Sequence, residues 1–201
     1  MPEQQASRIA GPDDVDSVGR TIALAFAEDP VWGPAMGGTR TTIDEKARIW
    51  RIFVAGAVRY PWSRTVDGAA AVSIWLPPGS SELDESQEEG LTMVLVELLG
   101  PTGAAEYAEL MGRFDANHPQ QAPHAYLSLL ATRPDQRGRG IGMALLANDL
   151  DRLDQLHVSA YLESTNPAND RRYQGVGFEP VGQFRTVDEQ RLITTMWRPA
   201  R

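Results

Sequence analysis

The stretch that leaves this chain the fewest options runs from Leu127 to Gly142, where the apolar LSLLAT is followed by glycines at 138, 140 and 142 and then by a helical pattern. An apolar run of that length reads as a buried strand, Tyr126 to Thr132. Behind the glycines, Leu145, Leu146, Leu150 and Leu153 recur on one face of a helix predicted over Met143 to Leu156. Val158 to Glu163 is a second strand, so strand, glycine turn, helix and strand make a β-α-β unit and point to an α/β fold. Glycines between a strand and the first turn of a helix let successive N–H groups face outward, where the helix amino terminus adds partial positive charge. That geometry binds phosphate. The same glycines would also serve a tight turn without a ligand, and residue types alone leave both readings standing. Two familiar nucleotide loops are excluded: no Gly-Lys-Ser or Gly-Lys-Thr follows, and the third glycine comes one position early for Gly-x-Gly-x-x-Gly.

The rest of the chain supplies elements to flank such a sheet. A helix is predicted after Asp13-Asp14 through Val15, Val18, Ile22, Ala25 and Phe26, ending near Asp29-Pro30. Val31 to Thr39, with its proline and three glycines, reads as a loop, and Thr41 or Thr42 starts a second helix through Ile43, Ala47, Trp50, Phe53, Val54 and Ala57. Trp62 to Val66 and Ala70 to Leu76 flank Asp67-Gly68 as a hairpin. An acidic stretch, Ser80 to Glu89, leads into helical patterns that continue to Phe114 with a break at Gly100-Pro101. Asn169 to Gln174 reads as a short helix, and Phe178 to Val187 with Arg191 to Trp197 as a closing antiparallel pair.

Charge and residue types remove several functions. The formal charge of −8 disfavours a general nucleic-acid binder. With no cysteine there is no disulfide framework, thiolate nucleophile or sulfur-ligated zinc, and the three histidines, His118, His124 and His157, lack metal-ligand spacing. No metal site is expected. MPEQQASRIAGPDD lacks a basic leader with an apolar run, and no stretch is long and apolar enough for a membrane span, so a cytoplasmic protein is expected.

Two separated motifs together resemble a known family. Arg137-Gly138-Arg139-Gly140-Ile141-Gly142 fits the Arg/Gln-x-x-Gly-x-Gly/Ala signature of the GCN5-related N-acetyltransferases (GNAT), and Asn166, Tyr173 and Gly177-Phe178 fit the family's Asn-x6-Tyr-x3-Gly-Phe pattern. The segments Asp67 to Trp75 and Tyr161 to Thr165 are similar in layout to the branch that acetylates puromycin. The resemblance implies a mixed, mostly antiparallel sheet of six to seven strands with helices on both faces. It also implies a single domain over residues 1–201 with a helical insertion at about 82–117.

The resemblance further implies acetyl-coenzyme A as cofactor. Arg137, Gly138, Arg139, Gly140, Ile141 and Gly142 would hold its pyrophosphate. Leu130, Ala131 and Thr132 would pair with its pantetheine arm, and Asn166 and Asn169 would hold the neighbouring loop or the cofactor. Tyr173 stands where the family keeps the acid that protonates the leaving thiolate. For the base, Glu163 on the following strand is the best carboxylate, equally able to be structural, while His124 reads as a surface histidine. Phe26, Asp29, Trp32, Trp50, Phe53 and Trp75 would line an acceptor pocket, and they would equally describe a core. The function expected is acetyl transfer to a primary amine of a small molecule, an antibiotic or toxin among the options. A protein amino terminus or lysine as acceptor, and a non-catalytic acetyl-coenzyme A sensor, remain the alternatives. A homodimer is left open.

Overall fold

Local hydrogen bonding explains where the main helices begin and break. The computed structural model describes residues 6–120 and 123–201. A short strand β1 (Ser7–Ile9), which sequence patterning does not mark, leads to helix α1 (Val15–Phe26) and to a one-turn helix α2 (Trp32–Ala35) inside the expected loop. Helix α3 (Ile43–Ala57) starts at Thr42, whose hydroxyl accepts from the Glu45 N–H while the Glu45 carboxylate accepts from the Thr42 N–H. Each side chain thereby satisfies a donor that the helix start would otherwise leave open. Strands β2 (Arg64–Val66) and β3 (Ala71–Leu76) form the hairpin. Asp84 and Gln87 repeat the reciprocal cap at the start of α4 (Glu85–Asn117). Gly100 breaks α4 with φ 73° and ψ 171°, and Pro101 comes next without an N–H to donate. The chain ends with β4 (His124–Thr132), α5 (Ile141–Gln155), β5 (Ser159–Ser164), α6 (Asp170–Gly175), β6 (Glu179–Arg185) and β7 (Leu192–Arg198).

These strands form one sheet in the order β1-β2-β3-β4-β5-β7-β6, and each neighbouring pair is antiparallel except β4 with β5. This is the mixed, mostly antiparallel α/β sheet expected. Helices α1, α3 and α4 bury Ile22, Trp50, Val54 and Leu95 against Ile74, Leu129 and Ile193 on one face. Helix α5 buries Leu146, Leu150 and Leu153 against Leu127, Leu162 and Met196 on the other. Among the described residues no helix is long and apolar enough to cross a membrane.

Two irregularities in β4 position the functional groups. The ladder with β3 pairs Ile74 with Leu129 and then Trp75 with Leu127, so Ser128 is an extra residue in a bulge. Pairing with β5 stops after Tyr126↔Tyr161, and beyond it the two strands diverge. A close fit on α3 adds a third constraint. A Cβ built on Gly56 would stand 2.0 Å from the Glu82 carbonyl oxygen, so only glycine lets the segment before α4 lie against this helix.

Replacing Gly56 with alanine should therefore push that segment away and destabilise the protein by about 1–3 kcal/mol. Gly112→Ala, where a Cβ on α4 meets nothing within 4 Å, should stabilise by up to ~1 kcal/mol. Urea unfolding of both variants checks the contrast.

Candidate active site

The divergence of β4 from β5 opens a cavity of about 650 Å3, walled by the free edge of β4, the glycine turn, the start of α5 and the loop before α6. Gly138 and Gly140 have φ of 78° and 74°, a conformation that costs other residues about 1–2 kcal/mol. A Cβ at either would meet nothing within 4 Å, which leaves this stretch of backbone bare toward the cavity. Gly140 caps α5 without a side-chain hydrogen bond, so this helix start presents open N–H groups. Gly142 is needed for a different reason: its Cβ would lie 2.4 Å from the Thr132 hydroxyl, so glycine lets α5 begin directly against β4.

Around this helix start the expected residues divide. Leu130, Ala131, Thr132, Arg137, Gly138, Gly140, Ile141, Gly142, Asn166 and Asn169 all line the cavity. Arg139 does not; it is exposed, and its guanidinium donates to the Gln136 side chain at 2.5 Å. The Arg137 guanidinium donates to the Ala25 carbonyl at 2.7 Å, tying the turn to α1. Asn166 is a cap, its side chain accepting from the Ala168 N–H at 3.1 Å. Sequence reading missed Arg172, which lines the cavity and donates to Asn169 at 3.0 Å. Its signal was its place one residue before Tyr173 on the short helix.

A second, smaller cavity of about 70 Å3 adjoins the first on the α1, α3 and α4 side of the sheet. Phe26, Trp32, Trp50, Phe53 and Phe114 form its aromatic wall. Trp32 stacks on Phe114 with ring centres 5.4 Å apart and meets Trp50 edge-on at 5.4 Å. Such pairs stiffen a pocket by about 0.5–1.5 kcal/mol each. Trp75 is no part of it. Position 75 faces the opposite side of the sheet, where the indole N–H donates to Asp149 at 3.0 Å beneath α5.

Three carboxylates line the small cavity, Asp29, Glu82 and Glu163. Asp29 is saturated: it accepts from the N–H groups of Val31 and Trp32 and from the Thr165 hydroxyl, while burial raises its pKa. Glu82 is the residue sequence reading did not single out. Its two oxygens accept from the Ser128 hydroxyl at 2.8 and 3.0 Å, so the bulge in β4 is what holds it. Burial, aided by the charge of Glu163 and opposed by the Ser128 hydrogen bond, pushes its pKa up to about 7. Nothing in SSELDESQEEG separates Glu82 from its acidic neighbours, because the selection is made by a tertiary contact.

Glu163 is 2% exposed, and its Oε1 has no hydrogen-bond partner among the described residues. His118 Nδ1 lies 3.6 Å from this oxygen, and the hydroxyls of Tyr126 and Tyr161 also interact with the carboxylate. His124 corrects an expectation. It is buried rather than on the surface, since β4 begins at this residue, and its Nε2 lies 3.0 Å from His118 Nε2, with its ring edge-on to Tyr161 and Trp197.

Tyr173, with Phe26, Asp29, Leu130 and Asn169, borders both cavities. Burial first, then the charges of Asp29 and Asp170, push its phenol up to about 12. The hydroxyl therefore keeps its proton at neutral pH and can donate it. The arrangement is a long cleft for an extended anion joined at a proton donor to a small acidic, aromatic chamber with a titratable carboxylate.

Known proteins share this architecture. Residues 70–178 match the family model described as the acetyltransferase (GNAT) family. Similar solved structures include histone acetyltransferase HPA2 and related acetyltransferase from Corynebacterium glutamicum, at 22% identity and TM-score 0.67 over 99% of this chain and 98% of that one. Arylalkylamine N-acetyltransferase 2 from Aedes aegypti is similar at 12% identity and TM-score 0.66, over 98% and 99%. A mutant of agmatine N-acetyltransferase in apo form is similar at 14% identity and TM-score 0.65, over 98% and 100%. At these identities the likeness is one of fold.

The raised Glu82 predicts a pH-dependent stability. Its folded pKa lies above the usual carboxylate value of 4.5, so the native state binds this proton more tightly than the unfolded chain. The stability this gives below pH 4.5 is lost as pH rises toward 7, on the order of 2–3 kcal/mol. Glu82→Gln should gain more in melting temperature at pH 8 than at pH 4.5, as thermal unfolding at the two values will reveal.

Proposed function

Because the chain belongs to the acetyltransferase (GNAT) family, we propose that it transfers the acetyl group of acetyl-coenzyme A directly to a primary amine of a small molecule. The observation that carries this reading is the junction of the two cavities at Tyr173 and Leu130, a long cleft on one side and an acidic chamber on the other. The family's donor is acetyl-coenzyme A, which supplies an activated thioester carbonyl when bound.

The residues present fit that donor. The open N–H groups from Gly138 to Gly142 and the Arg172 guanidinium suit a pyrophosphate. The unpaired edge of β4 from Leu130 to Thr132 suits the amide groups of a pantetheine arm, which would add to the sheet as a strand does. A backbone N–H near Leu130 would be available to polarise the thioester carbonyl. On the acceptor side, Glu82 takes the proton from the ammonium, leaving a free amine whose C–N bond forms as the C–S bond breaks. Tyr173 gives its proton to the departing sulfur, and the second proton that the nitrogen sheds as the amide forms restores the Tyr173 phenol. With no cysteine in the chain, no cysteinyl-enzyme intermediate is available.

The small volume of the chamber, about 70 Å3, favours a small acceptor, and two structural neighbours are named for small amines, arylalkylamine and agmatine. A proton donor and a titratable carboxylate together favour catalysis over sensing.

Saturating acetyl-coenzyme A should raise the melting temperature by mass action, and Gly140→Asp, which adds a negative charge at the helix start, should abolish the rise. No rise with the wild type would overturn the proposal. In thiol-release assays kcat/KM should climb with pH through about 7 as Glu82 loses its proton. Tyr173→Phe should lower kcat by about 10²–10⁴-fold with acetyl-coenzyme A affinity nearly intact.

A further inference from the structure

Every acetyl transfer leaves one proton to be carried away. The acceptor nitrogen sheds two as the ammonium becomes an amide; one replaces the proton that Tyr173 gives to sulfur, and the other rests on Glu82. In the transfer reading the acceptor fills the small cavity that Glu82 lines and the donor fills the larger one. With both occupied, neither cavity offers that proton an open way to water. A chain of polar side chains that the transfer steps do not use leads from the small cavity to the surface. Tyr126 and Glu163 line that cavity with Glu82, and the Tyr126 hydroxyl interacts with the Glu163 carboxylate and lies in the field of Glu82. Glu163 Oε1 lies 3.6 Å from His118 Nδ1. Glu163 is buried, whereas the His118 side chain is 27% exposed, so the chain reaches water at His118.

We infer that His118 carries the proton shed by the acceptor out of the small cavity, taking it from Glu163 at Nδ1 and giving one up to solvent. Glu82 passes its proton to the Tyr126 oxygen as the Tyr126 hydroxyl proton passes to Glu163. The Glu163 O–H then breaks as an N–H forms at Nδ1 of a neutral His118, and the imidazolium so made loses a proton to water. Each group returns to its starting charge, and one proton leaves for each amide formed. The inference rests on the transfer reading above and adds a relay residue to it.

The fold holds His118 in place for such a step. It caps the end of α4, and the Asn117 carbonyl just before it accepts from the Tyr161 hydroxyl at 3.3 Å, which pins the helix end to β5. Tyr126 and Tyr161 meet the imidazole edge-on, with ring centres 4.8 and 4.9 Å away, and fix its plane. Its Nε2 lies 3.0 Å from His124 Nε2, so one ring donates to the other there and Nδ1 is the nitrogen left toward Glu163. The titratable groups that face it are thus His124 and Tyr126 from β4 and Tyr161 and Glu163 from β5. A shift of about 0.5 Å turns the contact with Glu163 into a hydrogen bond. Imidazole suits the task because it both accepts and releases protons in the neutral range.

The test compares the wild type with His118→Gln, which keeps a hydrogen-bonding end of similar reach but passes no proton. Thiol release is followed near about pH 7.5 in dilute buffer free of primary amines, with acetyl-coenzyme A and a panel of acceptors that includes 2-phenylethylamine and agmatine. For the fastest acceptor, kcat should fall about tenfold or more in the variant, with the KM for acetyl-coenzyme A and the melting temperature close to those of the wild type. Added imidazole, which ferries the proton from outside, should restore most of the lost rate in the variant and leave the wild type unchanged. An unchanged kcat, or a loss that imidazole does not restore, overturns the inference and leaves acetyl transfer standing; the second result would mean that the two histidines and two tyrosines only pack. No thiol release by the wild type with any amine overturns both.

Discussion

The pairing of β4 with β5 ends at Tyr126↔Tyr161, and the rest of the site depends on that ending. Had the parallel ladder continued, the backbone of Leu130 to Thr132 would be consumed by β5 and no cleft would exist. The strands can part because each has another neighbour: β4 is held along its length by β3, and β5 by β7. The freed edge of β4 faces the larger cavity, with the glycine turn, the start of α5 and the loop before α6 around it. An exposed strand edge is a liability in most proteins; here it opens on the larger cavity.

The bulge at Ser128 works with the divergence. Before it, Tyr126 faces the α1, α3 and α4 side; after it, Leu129 and Ala131 do, and Leu130 turns to the α5 side. One extra residue thus changes which side chains face the acceptor without changing the direction of the strand. The residue left over, Ser128, holds Glu82 in a buried position, and that burial is what raises the pKa of this carboxyl. Net charge divides in a similar way, since an acidic chain gathers three carboxylates at the small cavity and leaves bare N–H groups at the larger one.

Legibility of this site in the sequence tracks the range of the interactions involved. The glycine turn, Asn166 and Tyr173 lie within a short stretch of chain and are marked by local spacing, and the structure brings them to one cleft. Phe26, Trp50 and Phe53 come from helical periodicity, and they meet Trp32 in the chamber. What escapes depends on tertiary contact. AVSIWL in β3 is buried on both faces, so no alternation tells that Ile74 faces one side and Trp75 the other. His124 reads as a surface residue because the strand starts two residues before its apolar run. Glu82 is chosen by a bulge in a strand far along the chain, and β1 is too short at three residues to have a pattern.

The contact between Gly56 and the Glu82 carbonyl gives the molecule a division of labour. The donor cleft is made of sheet and of the helix start fused to it, parts that cannot shift without unmaking the core. Glu82, by contrast, rides on a connecting segment clipped to α3 where one methyl group is missing, and Phe114 and Met111 reach the chamber from the helix next in the chain. Residues 80–117 thus complete the core through Leu95 and Leu110 and also bring Glu82 and Phe114 to the small cavity. Changes there reach the small cavity directly, whereas the larger cavity draws none of its lining from this segment.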